Sequence, residues 1–150
     1  MRKCGFAVLG AKQEILEAGV ILQEDNTDDI ARLDNIDRFI HDLFGRFPPR
    51  ICAVEQLFFT EKNKQKAGLI YGVRYLILLR ARQAGAQLIE VSPISLKKTI
   101  TGNGNATKSL MTQVIMRLFG LAHKPQYADA VDALGLALMA WTKRGNTIER

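Results

Sequence analysis

Length, composition and charge limit what this chain can be. Its 150 residues, 47% of them hydrophobic, suffice for one packed domain and are few for two, so we expect a single domain over residues 1–150. The 21 Lys and Arg against 15 Asp and Glu give a net charge of +6, which favours a polyanionic partner but also suits an ordinary basic protein. The chain lacks an apolar run of about 18 residues and the features of a signal peptide, so we expect a soluble, cytoplasmic protein.

The first half of the chain predicts a hairpin, a helix and a buried strand. Segments 4–10 (CGFAVLG) and 14–23 (EILEAGVILQ) are rich in strand-forming residues and predict an antiparallel hairpin. Apolar residues recur every three or four positions over 28–47, which predicts a helix. The run ICAV at 51–54 is typical of a strand covered on both faces, with Glu55 at its exit. Cys4 and Cys52 lie in these apolar runs without metal-binding spacing, which predicts reduced structural thiols.

The second half continues the alternation of helices and strands. After a Lys-rich loop at 60–66 we expect a helix over about 67–84, a strand over 87–91, a helix within 105–120 and a last helix that begins shortly after Pro125. This order predicts an α/β layer fold with a mixed sheet. Ligands in such sheets bind beyond the strand ends.

Two aspartates stand at the head of the last helix. Asp129 and Asp132 are three residues apart and can point at one site, and the nine residues Ala133–Trp141 that follow carry no charge. The ordinary explanation is that both complement the helix dipole. A helix that is apolar all round is buried, however, and carboxylates held together there repel unless they are protonated or bind a cation. With Glu55 nearby, three carboxylates would suit Mg²⁺, which prefers oxygen ligands.

Three segments resemble motifs of the RuvC family of Holliday junction resolvases, in the same order and at similar spacing over nearly the whole chain. They are AVEQLFF, SPISLKKTITGNGNATKS and YADAVDALGLAL. The resemblance implies a ribonuclease H-like fold, a mixed five-stranded sheet flanked by helices. It also implies a homodimer that nicks two strands of a four-way DNA junction during recombination and repair, and that works with the branch-migration complex.

The resemblance assigns roles to individual residues. Glu55, Asp129 and Asp132 would be catalytic ligands of Mg²⁺, two ions in each active site. Lys97 and Lys108 would face the DNA near the scissile phosphate. Phe58 would stack on bases near the junction.

Several of the basic and aromatic candidates have a simpler alternative. Phe58 or Phe59 could belong to the core, and Lys97 and Lys98 could lie on a solvated helix end. Lys62 and Lys64 in the Lys-rich loop, with Arg74 downstream, are candidate DNA contacts, although a run of charge is usually only a solvated face.

The segment GNGNATKS at 102–109 imitates a nucleotide-binding loop but departs from it in one residue. Thr107 occupies the place of the glycine that must precede the lysine, and the segment before it predicts a helix or turn rather than a strand. We therefore interpret the glycines as a turn that leads to Lys108, with Asn105 or Thr107 as the helix N-cap.

The chain departs from the family at its start. Gly5 and Phe6 match a glycine and an aromatic of the family, but the strand with an Asp-Pro-Gly motif that precedes them has no counterpart. We expect a first strand that is missing or truncated, with about ten further residues before Met1 in the complete protein. The alternatives are a catalytically silent relative that only binds junctions or DNA, and an α/β protein whose partner is not nucleic acid.

Overall fold

The computed structural model describes residues 2–58 and 60–144, and within them it contains four strands, five α-helices and one 3-10 helix. In chain order these are β1 (Lys3–Leu9), β2 (Ile15–Leu22), α1 (Asp29–Arg46), β3 (Ile51–Glu55), the 3-10 helix (Glu61–Lys66), α2 (Ala67–Gln83), β4 (Gln87–Val91), α3 (Pro93–Thr101), α4 (Lys108–Phe119) and α5 (Ala128–Lys143). The predicted α/β order is confirmed. None of the helices in these ranges is long and apolar enough to cross a membrane.

Local capping explains where several helices begin. The carboxylate of Asp28 accepts a hydrogen bond from the backbone N–H of Ala31 at 2.9 Å and starts α1. Ser92 caps α3 in the same way, and Pro93 occupies the first helical position, where its missing N–H costs nothing. The sequence predicted either a helix or a turn for the segment Pro93–Thr101. The cap at Ser92 and the proline at the first position favour the helix that the structure shows. Thr107 caps α4, as one of the two predicted N-caps.

The strands form two separate pairs. β1 and β2 are antiparallel, with Lys3 opposite Leu22, whereas β3 and β4 are parallel, with Ile51 opposite Gln87. Within the described residues no hydrogen-bonded ladder joins the two pairs. Both kinds of pairing of the predicted mixed sheet are therefore present, but as two sheets with a gap between β1 and β3.

Helices cover both sides of the strands. Cys4 and Phe6 of β1 pack with apolar residues of α1 and α2, while Ala7 and Leu9 pack with those of α4 and α5. This alternation along β1 is the period of two that a strand between two helix layers requires. Helix α5 is buried along most of its length, as its sequence predicted; its buried residues are Ala130, Val131, Ala133, Leu134, Gly135, Leu138, Met139 and Ala140.

An ion pair joins the two helices of one layer. Arg80 on α2 donates two hydrogen bonds of 2.6 Å to the carboxylate of Asp37 on α1. These hydrogen bonds hold the pKa of Asp37 below its usual value. The pair fixes the register of α1 against α2, whose facing residues are otherwise apolar.

Candidate active site

Close packing against β1 fixes the first turn of α5, which carries Asp129. A Cβ atom placed on Gly5 of β1 would lie 2.1 Å from the carbonyl oxygen of Asp129. The two backbones therefore touch at a point where only glycine fits. On the same strand, the Nζ atom of Lys3 lies 4.6 Å from the ring centre of Tyr127, the N-cap residue of α5. These contacts place Asp129 and Asp132 near the N-terminal end of β1.

Glu55 and Asp132 form the half-buried part of the site. Burial raises the pKa of Glu55, and the neighbouring charge of Asp132 raises it further. Burial also raises the pKa of Asp132, with a second contribution from Asp129. The last residue of β3 and the first turns of α5 thus bring three carboxylates into electrostatic contact, with Asp132 between the other two.

Two lysines oppose this negative charge. The positive charge of Lys97 on α3 partly offsets the rise in the pKa of Glu55 and of Asp132, and the charge of Lys108 partly offsets the rise for Asp132. Lys108 is the first residue of α4, directly after the capping Thr107. Four elements of the fold, β3, α3, α4 and α5, therefore contribute one charged group or more to a single site. These electrostatic neighbours include all five residues that the resemblance assigned to catalysis, and their catalytic roles stay a prediction.

The donor chemistry and the spacing of the site give different answers about a metal ion. Carboxylates that are half buried and mutually repelling suit a hard divalent cation, which would remove the repulsion. In the part of the chain that the structure describes, however, no group of three or more His, Cys, Asp or Glu side chains is close enough to hold an ion. Asp132 has Glu55 and Asp129 as separate electrostatic neighbours, and among the described residues the three carboxylates do not form the predicted three-ligand cage.

The predicted DNA contacts fall into two groups. Phe58 lies three residues beyond the end of β3 and its side chain is 63% exposed, so it is not a core residue. Lys62 and Lys64 are exposed on the 3-10 helix, with the Nζ atom of Lys64 3.7 Å from a carboxylate oxygen of Glu61. All three project from the segment that follows Glu55.

Arg74 does not share this exposure. Its side chain is only 10% exposed, and its Nη2 atom lies 2.5 Å from a carboxylate oxygen of Glu90 on β4. In this structure Arg74 stabilises the packing of α2 on the sheet, and its placement gives no support to the predicted DNA contact. The pairing with Glu90, sixteen residues away, leaves no local signal in the sequence.

The cysteines agree with their predicted role. Cys4 and Cys52 are both free. Burial raises the pKa of each thiol to about 11, and for Cys4 the charge of Asp129 adds to the effect. Such thiols are protonated at neutral pH and are poor nucleophiles.

Sequence reasoning missed one residue that shapes the site and gave no physical reason for a second. Lys3 carried no recognisable signal, because its contact with Tyr127 joins residues at opposite ends of the chain. Gly5 was noted only as a match to a family motif, and the structure supplies the physical reason, which is the approach of the α5 backbone.

Comparison with known proteins identifies the family. The model of the family "Crossover junction endodeoxyribonuclease RuvC" matches residues 1–140. The protein of that name from Synechococcus sp. strain WH7803 is 28% identical over 147 residues, covering 96% of this chain and 94% of the relative. The one from Gloeobacter violaceus is 32% identical over 146 residues, covering 91% and 83%.

Solved structures give the same result for the fold. Thermus thermophilus RuvC superposes with a TM-score of 0.79 at 25% identity, covering 95% of this chain and 89% of that one. The same protein in complex with a Holliday junction substrate gives a TM-score of 0.80 at 22% identity, covering 97% of each. With a family model that matches 140 of its 150 residues, this chain belongs to the RuvC family of crossover junction endodeoxyribonucleases.

Proposed function

We propose that this chain is a Mg²⁺-dependent endonuclease that resolves four-way DNA junctions by paired nicks during recombination and repair. The observation that carries the proposal is the position of Asp132, whose electrostatic neighbours are the carboxylates of Asp129 and Glu55 and the ammonium groups of Lys97 and Lys108. A site that combines acidic ligands with cations at a strand end suits phosphodiester hydrolysis, in which both ions and phosphate charge must be held.

The three carboxylates would hold two Mg²⁺ ions in each site. The bound ions would activate water and stabilise the leaving oxygen. The raised pKa values of Glu55 and Asp132 support this role, because a cation would compensate the charge that burial disfavours. The side chains must draw closer together than they do here, since three of them do not yet surround one point.

The surroundings of the site suit a nucleic acid. Lys97 and Lys108 would offset charge on the nonbridging phosphate oxygens. Phe58, exposed beyond the end of β3, would stack on an unpaired base, an interaction worth about 1 to 3 kcal/mol. Lys62 and Lys64 would contact the DNA backbone along the 3-10 helix.

Paired nicks on a symmetric junction require two active sites, so we propose a homodimer. We also propose that it works in the cytoplasm with the branch-migration complex. Helix α2 offers a surface for a second copy. Tyr75 and Leu79, one turn apart on that helix, are 62% and 53% exposed. Contiguous exposed apolar surface marks interfaces when it is large, and we propose that these two side chains lie within the contact between the two copies.

The test compares cleavage and binding in one set of variants. Asp132→Asn removes one negative charge from the site, so we expect nicking of a labelled four-way junction with Mg²⁺ to be abolished while junction binding stays within about twofold. The control is Asp34→Asn, which removes an exposed carboxylate paired with Arg38 on α1. Equal loss of cleavage and binding in Asp132→Asn would argue against a metal-binding role.

A second candidate is a catalytically silent protein that binds junctions or DNA. It is favoured by the spacing of the three carboxylates, which do not surround one point in the described part of the chain. It predicts salt-sensitive junction binding without any Mg²⁺-dependent nick. A binding curve that does not change between low and high salt would exclude both candidates.

A further inference from the structure

A polar cavity lies at the start of β1, outside the acidic site, and the proposed function does not use it. Its volume of about 530 Å³ is within the range of about 300 to 1,000 Å³ that small-molecule sites occupy. The described residues that line it are Arg2, Asp25, Asn26, Arg32 and Lys66. All of them are polar or charged, and three cations accompany one carboxylate. The cavity therefore suits an anion rather than an apolar ligand.

The alternation of side chains along β1 places this cavity beside the acidic site. Lys3 and Gly5 contact the start of α5, whereas Cys4 packs on the other face with α1 and α2. Arg2 continues the strand pairing, because its carbonyl accepts a hydrogen bond of 2.9 Å from the backbone N–H of Gln23. Two residues before Cys4, it points to the same face as Cys4. The cavity and the acidic site therefore lie on opposite faces of the same strand end.

A buried glutamine connects the two arginines of the cavity. Gln23 is only 8% exposed, and besides its bond to Arg2 its Nε2 atom lies 3.5 Å from the carbonyl oxygen of Arg32. Its Oε1 atom lies 3.5 Å from the side-chain nitrogen of Asn35. Buried side-chain amides are nearly always held by partners of this kind. The two arginines are thus attached to one buried polar group, which a chance cluster of surface charges would lack.

The turn between β2 and α1 forms another wall of the cavity. Asn26 has a φ of +69°, in the left-handed region that asparagine adopts more readily than most residues. The hydroxyl of Thr27 donates a hydrogen bond of 2.7 Å to the carbonyl of Glu24, and the Nε atom of Arg32 lies 3.5 Å from that hydroxyl. These contacts fix the turn and restrain the half-buried side chain of Arg32.

The positive charge of the cavity is only partly neutralised. The Nε atom of Arg2 lies 3.1 Å from a carboxylate oxygen of Asp25. Within residues 2–58 and 60–144 neither Arg32 nor Lys66 forms an ion pair with a carboxylate. Cations gathered at one cavity repel one another, and an anion between them would remove the repulsion. Guanidinium groups match the oxygens of a phosphate in pairs, and an ammonium group binds phosphate as a point charge.

We propose that this cavity binds one phosphate group of the DNA backbone, at a nucleotide other than the one that is cleaved. Arg32 is the central contact, with Arg2 and Lys66 on either side of the phosphate. The proposal rests on the junction binding of the proposed function and adds a second point of attachment for the substrate. DNA is the source of the phosphate because the cavity shares its strand end with the acidic site, so that one continuous strand can reach both. Such a contact sets the position of the DNA without reading its sequence.

The test measures junction binding in EDTA, so that the result does not depend on cleavage. A fluorescein-labelled four-way junction is titrated with the full 150-residue chain and followed by anisotropy at several salt concentrations. Arg32→Gln should weaken binding by about tenfold and reduce the slope of log K against log salt concentration by about 1. The matched control is Arg38→Gln on the same helix, which removes the same charge from an exposed side chain paired with Asp34 and should change the Kd by less than about twofold. Lys66→Gln, at an exposed position, should act in the same direction as Arg32→Gln and tests the cavity if that variant unfolds.

A chemical substitution in the DNA identifies the phosphate that is bound. Single backbone phosphates are replaced in turn by neutral methylphosphonates. At one position, or at two neighbouring ones, the wild type should lose about tenfold in affinity and Arg32→Gln less than about twofold, because the variant has already lost the contact. Equal losses for the two proteins at every position would overturn the proposal. Saturable binding of inorganic phosphate that Arg32→Gln abolishes without any change in junction affinity would also overturn it, because the cavity would then serve a free anion.

The outcomes separate this proposal from the proposed nuclease activity. Binding with the expected pattern but without any Mg²⁺-dependent nick would support the cavity and contradict the nuclease activity. Nicking by the wild type, together with equal junction binding by Arg32→Gln and Arg38→Gln, would contradict the cavity alone.

Discussion

The contact between Gly5 and the first turn of α5 gives the sharpest prediction. In Gly5→Ala the new methyl carbon would lie 2.1 Å from the carbonyl oxygen and 2.5 Å from the carbonyl carbon of Asp129. Both are backbone atoms, so no side-chain rotation can relieve the overlap, and α5 must move from β1 by about 1 Å. Overpacking of this kind costs about 1 to 3 kcal/mol. For a domain of this size the melting temperature should fall by about 2–4 °C for each kcal/mol.

The same displacement should reduce cleavage, because α5 carries both Asp129 and Asp132. A misplacement of about 1 Å can cost about a hundredfold in rate. The assay is nicking of a labelled junction with Mg²⁺, well below the melting temperature, beside thermal unfolding followed by circular dichroism. Gly45→Ala is the control, because a methyl group there meets nothing within 4 Å and should stabilise α1 by about 0.5 to 1 kcal/mol. If Gly5→Ala unfolds and cleaves like this control, the backbone contact does not position the acidic pair.

Three further predictions follow from the charges and thiols. Without metal at pH 7, Asp132→Asn should unfold at a higher temperature than the wild type, because burial disfavours the ionised carboxylate, and added Mg²⁺ should stabilise only the wild type; identical melting curves would contradict this. The pKa of Asp37 is lowered by Arg80, so its stabilising effect is complete above the unfolded value of 3.8 and is lost as pH falls through the folded value. Asp37→Asn should remove that part of the acid sensitivity, measured by melting between pH 2 and 6. Cys4 and Cys52 should react with a thiol reagent at pH 8 far more slowly in the folded chain than in urea, and equal rates would exclude their raised pKa values.

The sequence predicted the elements well, because each has a strong local signal. The hairpin follows from two β-rich runs around a short turn, and α5 follows from an apolar segment that is too uniform for a surface helix. Helix α3 was ambiguous, because its nine residues are too few for a clear period. The gap between the two strand pairs depends on which edges meet, and pairing over long distances has no local signal.

The candidate site follows from the topology of the fold, whereas the role of Arg74 depends on a single side-chain contact. Glu55 ends a strand whose C-terminal end faces the ligand side of the sheet, and Asp132 lies in the second turn of a helix that packs against that sheet, so topology brings them together. The role of Arg74 depends on the position of one carboxylate on a neighbouring strand. A long, flexible side chain can reach several partners, and spacing along the chain does not reveal which of them it contacts.

Helix α5 links the two parts of the molecule that the gap divides. Its first turn touches β1 at Gly5, its Asp132 is coupled to Glu55 at the end of β3, and Trp141 in its last turn donates a hydrogen bond of 3.2 Å to the carbonyl of Ala11 beyond β1. The spacing of the three carboxylates therefore depends on the distance between the two strand pairs.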